Sequence, residues 1–243
     1  MRQLLLFFIT AVLTFSSVEL AAQQYNYAIL SGENIEPGIQ IYEYVREADG
    51  EESAMGIITE NVQIQEDRML ITYQQNLPRV VLRDSLLLDL KTFQPIAYRS
   101  RIQPRQNISV DYTGTESVDV RIRRRSFNVN QDTTFSTEFD RLRYDAHWIP
   151  TLIYAANKQG VTSWTVPVYS SNQGKDVITL NQTGEEKVTL HGKTYDAITY
   201  TVKRENSEEI YYYWIGKESG RMLQTRGDEE EGALVWLKLK AEV

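Results

Sequence analysis

Apolar and polar residues alternate with period two along most of the chain, the pattern of strands with one face on a core and the other in water. Ile39, Ile41 and 43–45 predict a first strand. Residues 57–64 and 69–73 predict two more, broken at Glu66-Asp67-Arg68, and 80–88 a fourth. Ile96, Tyr98, Ser100 and Ile102 share one face of the next strand, with Ala97, Arg99, Arg101 and Gln103 on the other. Ile108, Val110 and Tyr112 alternate with Asn107, Ser109, Asp111 and Thr113, and Val118, Val120 and Ile122 alternate with Asp119, Arg121 and Arg123. Phe127 to Val129 and Phe135 to Phe139 continue the series.

The C-terminal third repeats the theme. Trp164, Val166 and Val168 are in phase. Val188 and Leu190 lead through His191-Gly192 to Ile198, Tyr200 and Val202, a hairpin whose glycine accepts positive φ. Residues 210–215 (IYYYWI) carry apolar or aromatic side chains on both faces, so the pattern predicts a strand buried on both. Turns at 218–220 and 228–232 lead into strands 221–225 and 234–239. Loops this short make successive strands antiparallel neighbours.

One segment has a different period. Ile149, Leu152, Ile153 and Ala156 occupy one helix face. Pro150 suits the first helical position, Lys158 the last turn and Gly160 the closing position, which predicts a helix over 150–159.

These elements predict an all-β fold: a long curled antiparallel meander, or β half-barrel, with one short helix packed on its concave side. About ten or more strands cannot stay flat, because each pair adds right-handed twist. If the helix fills the concave side only partly, an apolar cavity remains. Trp148, Ile149, Leu152, Ile153, Trp164, Tyr212, Trp214 and Trp236 are the residues expected to line it and to hold a lipid or other apolar ligand. In the alternative, side chains fill the hollow and the protein docks an envelope partner through a sheet edge or face.

The first residues bear on compartment. Met1-Arg2, the apolar run 4–18 and the small residues before Gln23 follow the plan of a secretory signal, with cleavage after Ala22. The expected division is a signal peptide over 1–22 and a single domain over 23–243. The expected location is the periplasm or the exterior, with no membrane-spanning segment after cleavage.

Composition removes several classes of chemistry. The chain has no cysteine, which excludes disulfide scaffolds, thiolate-bound metals, a cysteine nucleophile and a lipid-modified N-terminal cysteine. A net charge of −7 argues against nucleic acid as a partner. With two histidines, a multi-histidine metal site is excluded, and no metal or cofactor is expected. None of the short motifs of hydrolases, zinc proteases, phosphate loops or dinucleotide-binding folds occurs. Asp145 and His147 have the types of an orienting acid and a base, but their place before Trp148 and Pro150 fits a helix start better, so no catalytic residue is assigned and no enzyme is expected. His191 reads as a solvated turn residue, and 228–231 lacks the Asp-x-Asp-x-Asp form of a calcium loop. The unusual charge feature is a stripe of Arg99, Arg101, Arg121 and Arg123 on the polar faces of their strands, a candidate contact for anionic head groups or an acidic partner. Cross-strand pairing with Asp111 and Asp119 is its structural alternative.

Three stretches carry a family resemblance. They are 88–95 (LDLKTFQP), 185–200 (EEKVTLHGKTYDAITY) and 213–223 (YWIGKESGRML). In this order they resemble a family of uncharacterised bacterial secreted domains, whose fold is similar to the β half-barrel of periplasmic lipoprotein carriers. The resemblance covers the chain from about Ile39 to the end. It implies the half-barrel fold and, by analogy with the carriers, an acyl-chain site on the concave face. It implies no catalytic residues.

Overall fold

The computed structural model describes residues 30–78, 80–103, 106–113, 117–126, 129–139, 143–228 and 233–242. The signal over 1–22, Phe127 and most of the turn at 228–232 lie outside the described residues. The first half holds β1 (Gly38–Ala48), β2 (Glu51–Gln65), β3 (Arg68–Leu77), β4 (Val80–Asp89), β5 (Pro95–Gln103), β6 (Gln106–Tyr112), β7 (Ser117–Ser126) and β8 (Val129–Glu138). After β9 (Tyr144–Asp145), a 3-10 turn (Ala146–Trp148) runs into α1 (Ile149–Lys158). Then come β10 (Ser163–Ser170), β11 (Gly174–Leu190), β12 (Lys193–Arg204), β13 (Ile210–Gly216), β14 (Met222–Asp228) and β15 (Leu234–Glu242).

The 15 strands of the described residues form one sheet, in the order β8-β7-β6-β5-β4-β3-β2-β1-β15-β14-β13-β12-β11-β10-β9. Sequence neighbours pair antiparallel, as short turns require. One long-range ladder joins β1 to β15, from Gln40 opposite Glu242 to Glu47 opposite Leu234. The departure from antiparallel pairing is β9, which pairs parallel to β10 through Val168–Tyr144 and Tyr169–Asp145. Two residues are too few for alternation to reveal a strand, and β9 had no sequence signal.

The sheet curls until its two ends meet through side chains. The Tyr169 ring of β10 lies 5.4 Å from Phe139 and 6.4 Å from Tyr112. Its hydroxyl is hydrogen-bonded to Thr137 of β8. The Tyr112 hydroxyl of β6 donates to Asp145 Oδ2 at 2.7 Å.

The helix sits within this curl. Seven of its ten residues are buried: Ile149, Thr151, Leu152, Ile153, Tyr154, Ala155 and Ala156. The expected stripe was narrower, because a stripe assumes one partner surface. Here the helix meets both limbs of the sheet, and a helix apolar nearly all round is an enclosed one. Asn157 Oδ1 accepts from the Tyr200 hydroxyl of β12 at 3.2 Å, and Gln159 Nε2 donates to the Ser31 carbonyl at 3.2 Å. Gly220, at φ +72°, passes so close to the helix that a Cβ there would lie 2.7 Å from a Tyr154 ring carbon.

Local chemistry sets the turns. Asp89 Oδ1 accepts from the amides of Lys91 (3.1 Å) and Thr92 (2.8 Å) and from the Thr92 hydroxyl (2.8 Å). This closed turn turns the Phe93 ring into the core despite its positive φ of 57°. His191 and Gly192, at φ 49° and 81°, make the tight turn between β11 and β12.

Two sequence expectations need correction. Strand β13 is not buried on both faces: Tyr213 and Ile215 are buried, while Tyr212 and Trp214 are half-buried on the other side. Strand β11 begins at Gly174, well before Val188, and continues through a bulge between Gln182 and Gly184 that shifts its phase.

Candidate functional site

The outer face of β4 to β8 is built by register. Arg83 stands directly opposite Arg101, Arg101 opposite Asn107, Asn107 opposite Arg123, and Arg123 opposite Asp132. The adjacent row runs Ser85, Arg99, Ser109, Arg121 and Thr134. The four arginines of the sequence stripe therefore share one face, with Asn107 and Ser109 between them as the alternation predicted.

Their pairing is uneven. Asp132 accepts a fork from Arg121 (Nε to Oδ1 3.0 Å, Nη2 to Oδ2 2.7 Å) and a further bond from Arg123 Nε at 3.2 Å. Arg99 pairs with Asp111, and its Nη1 donates to the Tyr98 and Val110 carbonyls at 3.0 and 2.7 Å. Among the described residues Arg83 Nε is held only by a neutral partner, Gln74 Oε1, at 3.1 Å. Among the described residues Arg101 has no partner. A groove of about 430 Å3 runs over this region, lined by Arg83, Arg99 and Arg101 with Thr72, Ser85, Asn107 and Ser109. Arg83 escaped sequence reasoning because it interrupts an apolar strand. Its only signal was alternation with Leu82, and the register that sets it against Arg101 follows from the Asp89 turn.

The inner face holds a different environment. A cavity of about 220 Å3 lies under the start of α1, lined by Glu60, Tyr73, Asp84, His147, Trp148, Pro150, Tyr213, Met222, Thr225 and Leu237. Burial pushes the Glu60 carboxyl up to about 7, against smaller opposing effects of the Trp148 indole and Arg221. Burial also raises the Asp84 carboxyl, whose Oδ1 is enclosed without a hydrogen-bond partner. These groups too were invisible in the sequence, where each is one carboxylate in an alternating strand.

Of the eight expected cavity residues, Trp148, Ile149, Leu152, Ile153 and Trp164 are buried in the core. Trp148 packs edge-on against Tyr73 at 5.3 Å and Trp164 against Tyr144 at 5.4 Å. Tyr212, Trp214 and Trp236 are elsewhere: they form an aromatic row on the outer face. Trp214 and Trp236 stack at 5.8 Å, and the Arg226 guanidinium lies 4.3 Å from the Tyr212 ring centre. Alternation sends them outward because Tyr213 and Ile215 take the inward positions. The placement follows from which phase of β13 faces α1, which a strand apolar on both sides does not reveal.

Asp145 and His147 do pair, Oδ1 to Nδ1, at 2.9 Å. Ser171 Oγ lies 3.4 Å from His147 Nε2, longer than the reach of a working nucleophile and base. Asp145 Oδ1 also accepts the His147 amide at 2.8 Å, capping the 3-10 turn. Tyr98 stacks on the imidazole at 3.9 Å. The arrangement anchors the helix start. Among the described residues no group of three metal-binding side chains converges, and no helix is long and apolar enough to cross a membrane.

Residues 41–230 match the family described as "Protein of unknown function (DUF3108)", and the chain belongs to that family. No curated protein matches the chain.

Proposed function

We propose that this family member is a non-enzymatic interaction module of the bacterial cell envelope. It is exported by the apolar run 4–18 and cleaved near Ala22. It engages an anionic partner through the outer face of β4 to β8. The observation that carries this reading is the gathering of Arg83, Arg99, Arg101, Arg121 and Arg123 on one face of an acidic protein.

The filled interior favours this reading over an apolar carrier. The helix occupies the hollow, and the space left beneath it, about 220 Å3, falls below the roughly 300–1,000 Å3 of ligand pockets. Its wall contains Glu60 and Asp84, which an acyl chain would bury without compensation. A catalytic reading of Asp145, His147 and Ser171 is disfavoured by the Tyr98 ring over the imidazole and the capping duty of Asp145.

The test is association of the purified protein with the envelope fraction of its own cells. The wild type should bind in a salt-sensitive way, and a variant with Arg83→Glu, Arg101→Glu and Arg123→Glu should not. Binding unaffected by charge reversal, or a lipid that the charge-reversed protein still retains in native mass spectrometry, would overturn the reading.

A further inference from the structure

Arg83 and Arg101 stand directly opposite each other across β4 and β5. Like charges in that position repel, and cross-strand pairs act at a range where the repulsion is felt. Three other arginines of this face have a carboxylate beside them: Asp132 bonds both Arg121 and Arg123 and compensates one of their two charges, and Asp111 pairs with Arg99. At this pair no carboxylate intervenes among the described residues. Gln74 binds one nitrogen of Arg83 and leaves its two terminal nitrogens available, and the whole guanidinium of Arg101 is free among the described residues. Asp84, the one carboxylate lining the groove, belongs to the inward-facing phase of β4, where it also lines the cavity under α1. The outer groove thus presents two uncompensated positive charges, on directly paired residues of neighbouring strands, beside the hydroxyls of Ser85 and Ser109 and the amide of Asn107.

From this juxtaposition we propose that the Arg83–Arg101 pair is an oxyanion subsite that takes a phosphomonoester or free phosphate group. Two guanidinium forks match the charge of a phosphate dianion, and its several acceptor oxygens suit two forks approaching from neighbouring strands. A carboxylate carries one charge and two oxygens, and would leave one arginine unmatched. The inference rests on the reading of this face as an anion-binding surface, and names the anion.

The arginine Nε–Hε signals of 15N-labelled protein report the subsite directly. Inorganic phosphate should shift the Arg83 and Arg101 signals along one saturable curve, and R83Q or R101Q should weaken it by about ten-fold or more, the loss of roughly one charge-assisted contact. R125Q, at the far end of β7, should leave it unchanged. A second arm uses phosphatidylcholine vesicles with and without phosphatidic acid. Binding only with phosphatidic acid, lost in R101Q, assigns the group to a lipid head. Saturable phosphate binding without vesicle binding assigns it to a soluble ligand. Non-saturating shifts, or R101Q binding phosphate as wild type does, overturn the subsite. If the charge-reversed protein then still loses the envelope fraction, the broader surface reading survives with a carboxylate partner. If it does not, both fall.

Discussion

Glu60 shows how one side chain can work against the fold that holds it. Unfolded, its carboxyl titrates near 4.5, and in the folded protein at about 7. Between those values the native state binds a proton that the unfolded chain has released. Its contribution to stability is therefore intact below the lower value, declines as pH rises through this window, and is constant above it. The accumulated cost is about 3 kcal/mol. Glu60→Gln keeps the shape of the protonated acid and removes the titration. Urea unfolding should find the variant more stable than wild type by up to about 3 kcal/mol at pH 8 and equal to it at pH 4. An equal difference at both pH values would show that Glu60 is not the titrating group. Asp89 is the opposite case: the Thr92 amide and hydroxyl hold its carboxyl below the usual range. That residue was readable from the spacing of Asp89, Thr92 and Pro95, because an Asx turn is a local event.

At the scale of elements, α1 is the inner wall of the fold. Ile153 has no exposure at all. Ile153→Ala should cost about 2–5 kcal/mol, since the enclosed site cannot collapse around the lost atoms. Thermal unfolding would register this as a large drop in melting temperature. A change inside 1 kcal/mol would mean that the helix is less tightly held than its burial implies. The helix was legible from the spacing of Ile149, Leu152, Ile153 and Ala156 and from Pro150 and Gly160. Its enclosure was not, because the partners that cover it are distant in sequence: Leu86 and Leu88 lie beside Thr151, and Gly220 beside Tyr154. The same reason explains the outer aromatic row: Tyr212 and Trp214 alternate correctly, but which phase faces inward is decided by the helix. In strands with clean alternation, such as β5 to β7, the faces were read correctly, and Arg99, Arg101, Arg121 and Arg123 do share one side. What could not be read was Arg83 opposite Arg101, since pairing is a property of two segments.

At the scale of the molecule, the curl is fastened by side chains where backbone pairing stops. Tyr169 touches Phe139 and Tyr112 and bonds to Thr137. Tyr169→Phe keeps the ring contacts and removes the hydroxyl bond, a loss of about 1 kcal/mol. Hydrogen exchange should localise the effect, with β8 amides exchanging faster while those of β1 and β15 are unchanged. Uniform acceleration would mean that the junction opens only with global unfolding.

The ladder between β1 and β15 closes the middle of the sheet, not its rim. Of the fifteen strands, the last to leave the ribosome is therefore a keystone inserted between two finished arches. Until it arrives, β1 and β14 each present a raw central edge, and neither half can lock its curvature. Pairing of Gln40 with Glu242 spans nearly the whole described chain, so assembly waits on one late, distant encounter. A nascent chain halted before residue 234 would remain two sticky half-sheets, a form that a chaperone or a translocation channel can still hold open.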